Sequence, residues 1–270
     1  VLFRSLPHLM NRFLSLFLTS VLPPLLFFAL LVLLWHLGVV LFDIKPFLLP
    51  GPLRVARAIA DHFPALLYAT GLTGLGALSG FLLSFAAGFL IALLFSQSRI
   101  IARSLYPYAI FLQTVPVVAI APLIILWIGH GFQGVVAVSF IISLFPIIAN
   151  TTSGLTSIDP NLLDLFAMNN ASRWQVVRKL RIPSAVPAMF TGAKISSGLS
   201  VIGAIVGEFF AGYGTDDFGL GYLIILTNGQ AKTDYLFACI LFCTLLGLAV
   251  FTSISLLSNF LLVRWNGGED

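Results

Sequence analysis

In this 270-residue chain the polar side chains best suited to engage a partner lie in one internal run, Asp159 to Pro187, between long apolar stretches. The chemistry on offer there is ionic and hydrogen-bonding recognition. Asp164 supplies an anion, and Arg173, Arg178, Lys179 and Arg181 supply cations. Charges are costly in a chain that is otherwise apolar, so a cluster of them marks a segment that meets water or a soluble partner. The spacing predicts two short helices with built ends. Asp159 is a good N-cap, and Pro160 falls at the first helical position, where its missing N–H costs nothing. Asn170 stands where the first helix must end, and Asn tolerates the left-handed conformation needed there. Ser172 and Gln175 have the Ser-x-x-Gln spacing of a capping box, which starts the second helix. Pro183 and Pro187 are then expected to end that helix and redirect the chain.

Other candidates sit inside the apolar stretches. Glu208, in Gly207-Glu208-Phe209-Phe210, is a carboxylate near the end of an apolar segment. Such a group faces a cavity, a partner or the interface. Two readings stay open for it, a gate or pathway residue and an interfacial anion. Gly219 and Gly221 follow in a glycine-rich stretch that fits either a gate or a plain outer turn. Gln113 and Thr114 precede Pro116, with Pro122 beyond, so backbone carbonyls are freed near two polar side chains. They either line a pathway or belong to a kinked core helix. Lys194 lies near one end of its stretch, where its long stem can snorkel. Cys239 and Cys243 share a helical face and read as packing residues. The four histidines lack metal-ligand spacing, so neither a metal nor a cofactor is expected.

The elements that must position these residues follow from composition. Hydrophobic residues make up 59% of the chain and charged residues 9%, against roughly a quarter charged in a soluble domain. With a mean hydropathy of +1.05 this is an all-α polytopic membrane protein, read as one domain over residues 1–270. Six spans are expected, at about Pro24–Leu41, Leu66–Phe95, Pro107–Ile128, Val135–Ile148 with flanks, Ala188–Phe210 and Tyr235–Val263. No cleavable signal is expected in the first residues. Leu49-Pro50-Gly51-Pro52 predicts a turn, followed by an amphipathic helix to His62. Gly76, Gly80, Ser84, Gly88 and Ala92 recur every fourth residue, a stripe that lets helix backbones approach closely in lipid. Internal packing is the favoured reading of that stripe, and a dimer seam is the alternative.

Six spans put both termini on one side, together with the 151–187 segment. Nine Lys and Arg then fall on that side (Arg4, Arg12, Arg99, Arg103, Arg173, Arg178, Lys179, Arg181, Arg264) and four on the other (Lys45, Arg54, Arg57, Lys232). The excess predicts that the termini and the polar segment are cytoplasmic. The net charge of +4 is accounted for by this sidedness, and no nucleic-acid affinity is inferred.

The run Asp164-Leu-Phe-Ala-Met-Asn-Asn170-Ala171-Ser172-Arg173-Trp174 through Pro183-Ser-Ala-Val-Pro187 resembles the coupling loop of binding-protein-dependent ABC importer permeases. That family's pattern is Glu-Ala-Ala, three residues, Gly-Ala-Ser, a basic stretch and Pro-x-x-x-Pro. Asp164 replaces the Glu, Asn170 the Gly, and Leu165-Phe166 the Ala-Ala pair. The resemblance implies a type I importer permease fold in a bacterial inner membrane. It further implies soluble ATPase subunits docked on the loop, an external solute-binding protein on the opposite face, and a second copy of the chain. Asp164, Asn170, Ala171, Ser172, Arg173 and Trp174 become the ATPase-coupling residues. The segment with Gln113, Thr114 and Pro116, and the Gly-Glu-Phe ending at Glu208, resemble the nitrate, sulfonate, taurine and thiamine-precursor branch. The implied solute is therefore a small anion or a thiamine pyrimidine precursor. The chain contains no Gly-x-x-x-x-Gly-Lys-Ser/Thr phosphate loop, so ATP hydrolysis is expected in a separate subunit. Two rival classes are an ion-coupled secondary carrier, which needs intramembrane carboxylates beyond Glu208, and a membrane enzyme, which needs a polar catalytic cluster.

Overall fold

The apolar runs become helices, and proline and glycine decide where those helices bend or break. The computed structural model describes residues 22–211 and 218–265. Within them α1 (Leu22–Leu41) is apolar on all sides and lies at the rim, its Trp35 stacked on Phe237 with ring centroids 6.0 Å apart. The chain then turns into α2 (Pro52–Gln97), with Pro52 in the first turn. This helix bends at His62, whose φ of −115° and ψ of 15° are non-helical. Pro64 explains the bend, since it lacks an N–H and crowds the preceding turn. Before the bend Val55 and Ala58 are buried and Arg54, Arg57 and Asp61 are exposed, as an amphipathic helix requires.

The expected third span is two helices, α3 (Arg99–Thr114) and α4 (Val117–Ile128). Val115 is extended, with φ −69° and ψ 124°, because a residue before proline is pushed out of the helical region. Gly129 (φ 113°) and Gly131 (φ 93°) then turn the chain into α5 (Phe132–Thr156). After α6 (Pro160–Met168) come α7 (Arg173–Val176), a π-helical stretch (Val177–Arg181) and α8 (Ile182–Ala211). The short α9 (Leu220–Gly229) and the long α10 (Thr233–Trp265) complete the described chain. Five stretches among the described residues are long and apolar enough to cross a membrane: 22–41, 52–97, 132–156, 173–211 and 233–263.

Pro183 and Pro187 do not end the second helix of the polar segment, contrary to the sequence-based expectation. The chain stays helical from Arg173 to Ala211. The reason is local. Across Val177–Arg181 the hydrogen bonds lengthen to i→i+5, and the Ile182 N–H reaches Val177 O. The widened turn absorbs the proline ring that an α-turn would reject.

α5 is the centre of the bundle, held between α2 and α8, while α10 packs against α8 and α2. The small-residue stripe of α2 is buried and faces α5. A Cβ on Gly76 would lie 2.9 Å from Val135 Cγ1, and one on Gly88 2.8 Å from Ile147 Cγ2. α8 does the same from the other side, since a Cβ on Gly203 would meet Ser139 Cα at 2.6 Å. Buried serines tie the three helices. Ser139 Oγ donates to Ser200 O (2.9 Å), Ser143 Oγ to Ser84 Oγ (3.0 Å) and Ser196 Oγ to Ser143 O (2.6 Å). In lipid, close approach and such hydrogen bonds hold helices together, since burying apolar surface gains little there.

Candidate functional site

The polar segment folds as a helix–turn–helix knob with each end built as its residues require. Asp159 Oδ1 accepts from Asn161 N–H at 2.9 Å and caps α6. At the other end Asn170 has a φ of 51°. Its N–H bonds to Ala167 O and the Ala171 N–H to Phe166 O, both at 3.0 Å, the paired bonds of a Schellman ending. Ser172 N–H donates to Gln175 Oε1 (2.7 Å) and Gln175 N–H to Ser172 Oγ (3.3 Å), closing the capping box.

Val177 and Leu180 are buried and seat the knob on the bundle. Asp164, Arg173, Arg178 and Lys179 are exposed. Trp174 is 64% exposed, and Leu162, Leu165 and Met168 are exposed beside Asp164 on α6. Trp174 was among the residues read from the sequence, whereas Leu162, Leu165 and Met168 were missed. Their spacing of i, i+3, i+6 was there to read, but in so apolar a chain three more hydrophobic residues give no contrast. Large apolar side chains rimmed by charges mark a surface built to meet another protein.

Glu208, Gly219 and Gly221 converge at the opposite end of the bundle. Glu208 is 5% exposed, enclosed by α2 and the start of α9. Its Oε2 accepts from Gly221 N–H at 2.7 Å and from Thr73 Oγ1 at 2.9 Å. Thr73 Oγ1 in turn accepts from Leu220 N–H at 2.9 Å. The carboxylate therefore sits at the N-terminal turn of α9, where free N–H groups favour an anion. A Cβ on Gly219 would collide with the carboxylate, and one on Gly221 would stand 2.8 Å from Glu208 Cβ. Gly219 thus leaves room for the carboxylate, and Gly221 for the backbone of α8 as well, since a Cβ there would meet Ile205 O at 2.5 Å. Thr73 is the member that sequence reasoning did not find. The glycine-rich turn between Ala211 and Phe218 lies outside the described residues.

Gln113 and Thr114 do not join this cluster. They close α3, which packs on α2 and α5. The Gln113 side chain lies outside the described residues, and Thr114 is exposed with its hydroxyl turned to Phe111 O at 2.8 Å. Beyond the Val115 break, α4 and α5 border an apolar groove of about 420 Å³ lined by Ile120, Trp127, Phe140 and Leu144 among others. Lys194 Nζ donates to Asn259 Oδ1 on α10 at 3.1 Å, and Cys239 is buried in the packing around Leu66 and Leu223.

Comparison with known proteins places these features in a family. Residues 80–265 match the family described as "Binding-protein-dependent transport system inner membrane component". The chain is 35% identical over 242 residues to the formylaminopyrimidine transport permease protein ThiX of Halalkalibacterium halodurans, covering 89% of this chain and 95% of that one. It is 35% identical over 238 residues to the riboflavin transport system permease protein RibX of Chloroflexus aurantiacus, covering 87% of each. The fold is similar to a chain solved in inward facing conformations of the MetNI methionine ABC transporter. The TM-score is 0.56 at 18% identity, over 70% of this chain and 94% of that one. A matched stretch that runs from the small-residue stripe of α2 through the knob to the end of α10 fixes the assignment: the chain belongs to the inner membrane components of binding-protein-dependent ABC transport systems.

Proposed function

We propose that the helix–turn–helix knob is the surface on which a separate ATPase subunit docks, and that the bundle carries a nitrogen heterocycle inward. The observation that supports the docking reading is the pairing of a fully capped, rigid knob with an outward patch of Leu165, Met168 and Trp174 beside Asp164 and Arg173. Caps fix the angle between α6 and α7, so force applied to one helix moves both. Asn170, Ala171 and Ser172 keep that angle, while Asp164, Arg173 and Trp174 make the contact. The excess of Lys and Arg at the knob end orients that end, and both termini, toward the cytoplasm. A solute-binding protein then delivers its cargo to the other end, where Glu208, Gly219 and Gly221 position α9 as part of the outer gate. The end of α3 that carries Gln113 and Thr114, with the groove beyond Pro116, borders the path, shared with a second copy of the chain.

Of the two solute classes implied by the sequence, the heterocycle is favoured because two of the relatives at 35% identity are named for heterocycles, formylaminopyrimidine and riboflavin. The test is uptake of labelled formylaminopyrimidine into proteoliposomes that hold the chain with its co-purified subunits and binding protein. The expected result is accumulation that requires ATP inside the compartment of the ATPase. Accumulation driven by an ion gradient without ATP would contradict the reading and favour a secondary carrier.

A further inference from the structure

α2 is held by polar contacts at two points, one in its last turn beside the knob and one near its middle. At the knob end Arg181 Nη1 donates to Ser96 O at 2.8 Å. Ser96 lies in the last turn of α2, whose carbonyls lack an intrahelical donor and carry the negative end of the helix dipole. A guanidinium is therefore well matched to that position. Arg181 differs from the other cations of the knob, because Arg173, Arg178 and Lys179 are exposed while it is half-buried. The knob does not lie flush on α2. A cleft of about 410 Å³ separates them, lined by Ser96, Gln97, Ala171, Arg173, Val177 and Arg181, and the Arg181 side chain bridges it.

Farther along the same helix, near its middle, Thr73 donates to Glu208 and accepts from Leu220 N–H, each at 2.9 Å. The bend at His62 lies beyond Thr73, so the segment between Thr73 and Ser96 has no internal break. At the usual helical rise it spans roughly 35 Å. One unbroken helix thus joins a side chain of the knob to the N-terminal turn of α9.

We propose that Arg181 is the positioning residue that passes displacement of the knob to α2, and that α2 passes it through Thr73 and Glu208 to α9. The proposal rests on the reading of the knob as an ATPase-docking surface. Movement of the knob along the cleft pulls on Ser96 through the guanidinium, and an unbroken helix transmits axial movement with little loss. At the outer end of that segment Thr73 is hydrogen-bonded to both Glu208 and the α9 backbone, so it cannot shift without them. A route through a structure is established by the response of its far end, and that response is what the experiment must read.

The experiment uses the complex purified from native membranes with its ATPase subunit, in nanodiscs, with and without ATP plus vanadate. Amide hydrogen exchange is followed in α6 and α9. In the wild type, nucleotide is expected to change α9 exchange by at least about fivefold, the low end of an allosteric coupling. Arg181→Gln should retain the ATPase subunit and the α6 response while losing the α9 response. Arg181→Lys should keep part of it, since an ammonium reaches the carbonyl without the fixed guanidinium fork. Thr73→Val should keep the α6 response and lose that of α9. A bound ATPase and an unchanged α9 response in Arg181→Gln would overturn the proposal alone. Loss of the ATPase from Arg181→Gln would also overturn it, making Arg181 a docking residue. Failure of the wild type to carry an ATPase subunit would overturn the docking reading and this proposal with it.

Discussion

Asn170 shows how much a single backbone angle decides. Its φ of 51° turns α6 into α7, and a β-branched residue would pay about 1–2 kcal/mol to stay there. Asn170→Val is therefore expected to insert at normal abundance and lose most of its coupled uptake, whereas Asn170→Gly should keep it. Uptake normalised to membrane abundance checks both. The turn was legible because Asp159, Pro160, Asn170, Ser172 and Gln175 act on near neighbours in the chain. Glu208 was legible only as an oddity. Its partner Thr73 is 135 positions away, and no local pattern connects them. Glu208→Ala would leave the Gly221 N–H buried without its acceptor, at about 1–3 kcal/mol for an unsatisfied group, while the Thr73 hydroxyl can still donate to Ala69 O. A lowered melting temperature of the solubilised protein is expected, with Glu208→Gln less affected because its amide oxygen still accepts.

At the scale of elements, local rules worked where one residue controls the outcome. Pro64 bends α2, and Pro116 forces Val115 out of helix and splits the third span. The same rules misread Pro183, because a π-helical turn can absorb a proline and the surrounding bundle can supply the reason to do so. Nothing in Val177 to Arg181 marks that choice in the sequence. The widened turn also sets how far the knob is rotated relative to α8. Pro183→Ala removes the need for it, and the relaxed helix should turn the knob away from its partner. Reduced uptake at unchanged abundance is the expected outcome. The small-residue stripe was legible on α2, but its counterpart on α8 was noticed only in the fold. Gly203→Val should force Ser139 and α5 outward, costing at least the ~1–3 kcal/mol of an overpacked core. Size-exclusion profiles of the detergent-solubilised variant would show the loss of folded protein.

For the whole molecule, the decisive pattern is segregation. Arg103 and the cations of the knob gather at one end of the bundle, and Lys45, Arg54, Arg57 and Lys232 at the other. The fold class followed from composition, since 9% charge and long apolar runs leave few alternatives to a helical bundle in a membrane. Which helices touch could not follow, because apolar faces in lipid carry no directional signal in their sequence. The central claim is that this chain is worked from outside itself, by an ATPase seated on the knob. Its most direct measurement is co-purification from native membranes in mild detergent, wild type beside a variant with Trp174→Ala and Met168→Glu. The account predicts a subunit with a phosphate loop bound to the wild type and lost from the variant. A wild type that emerges alone, or a variant that keeps the same ATPase at the same occupancy, would contradict it.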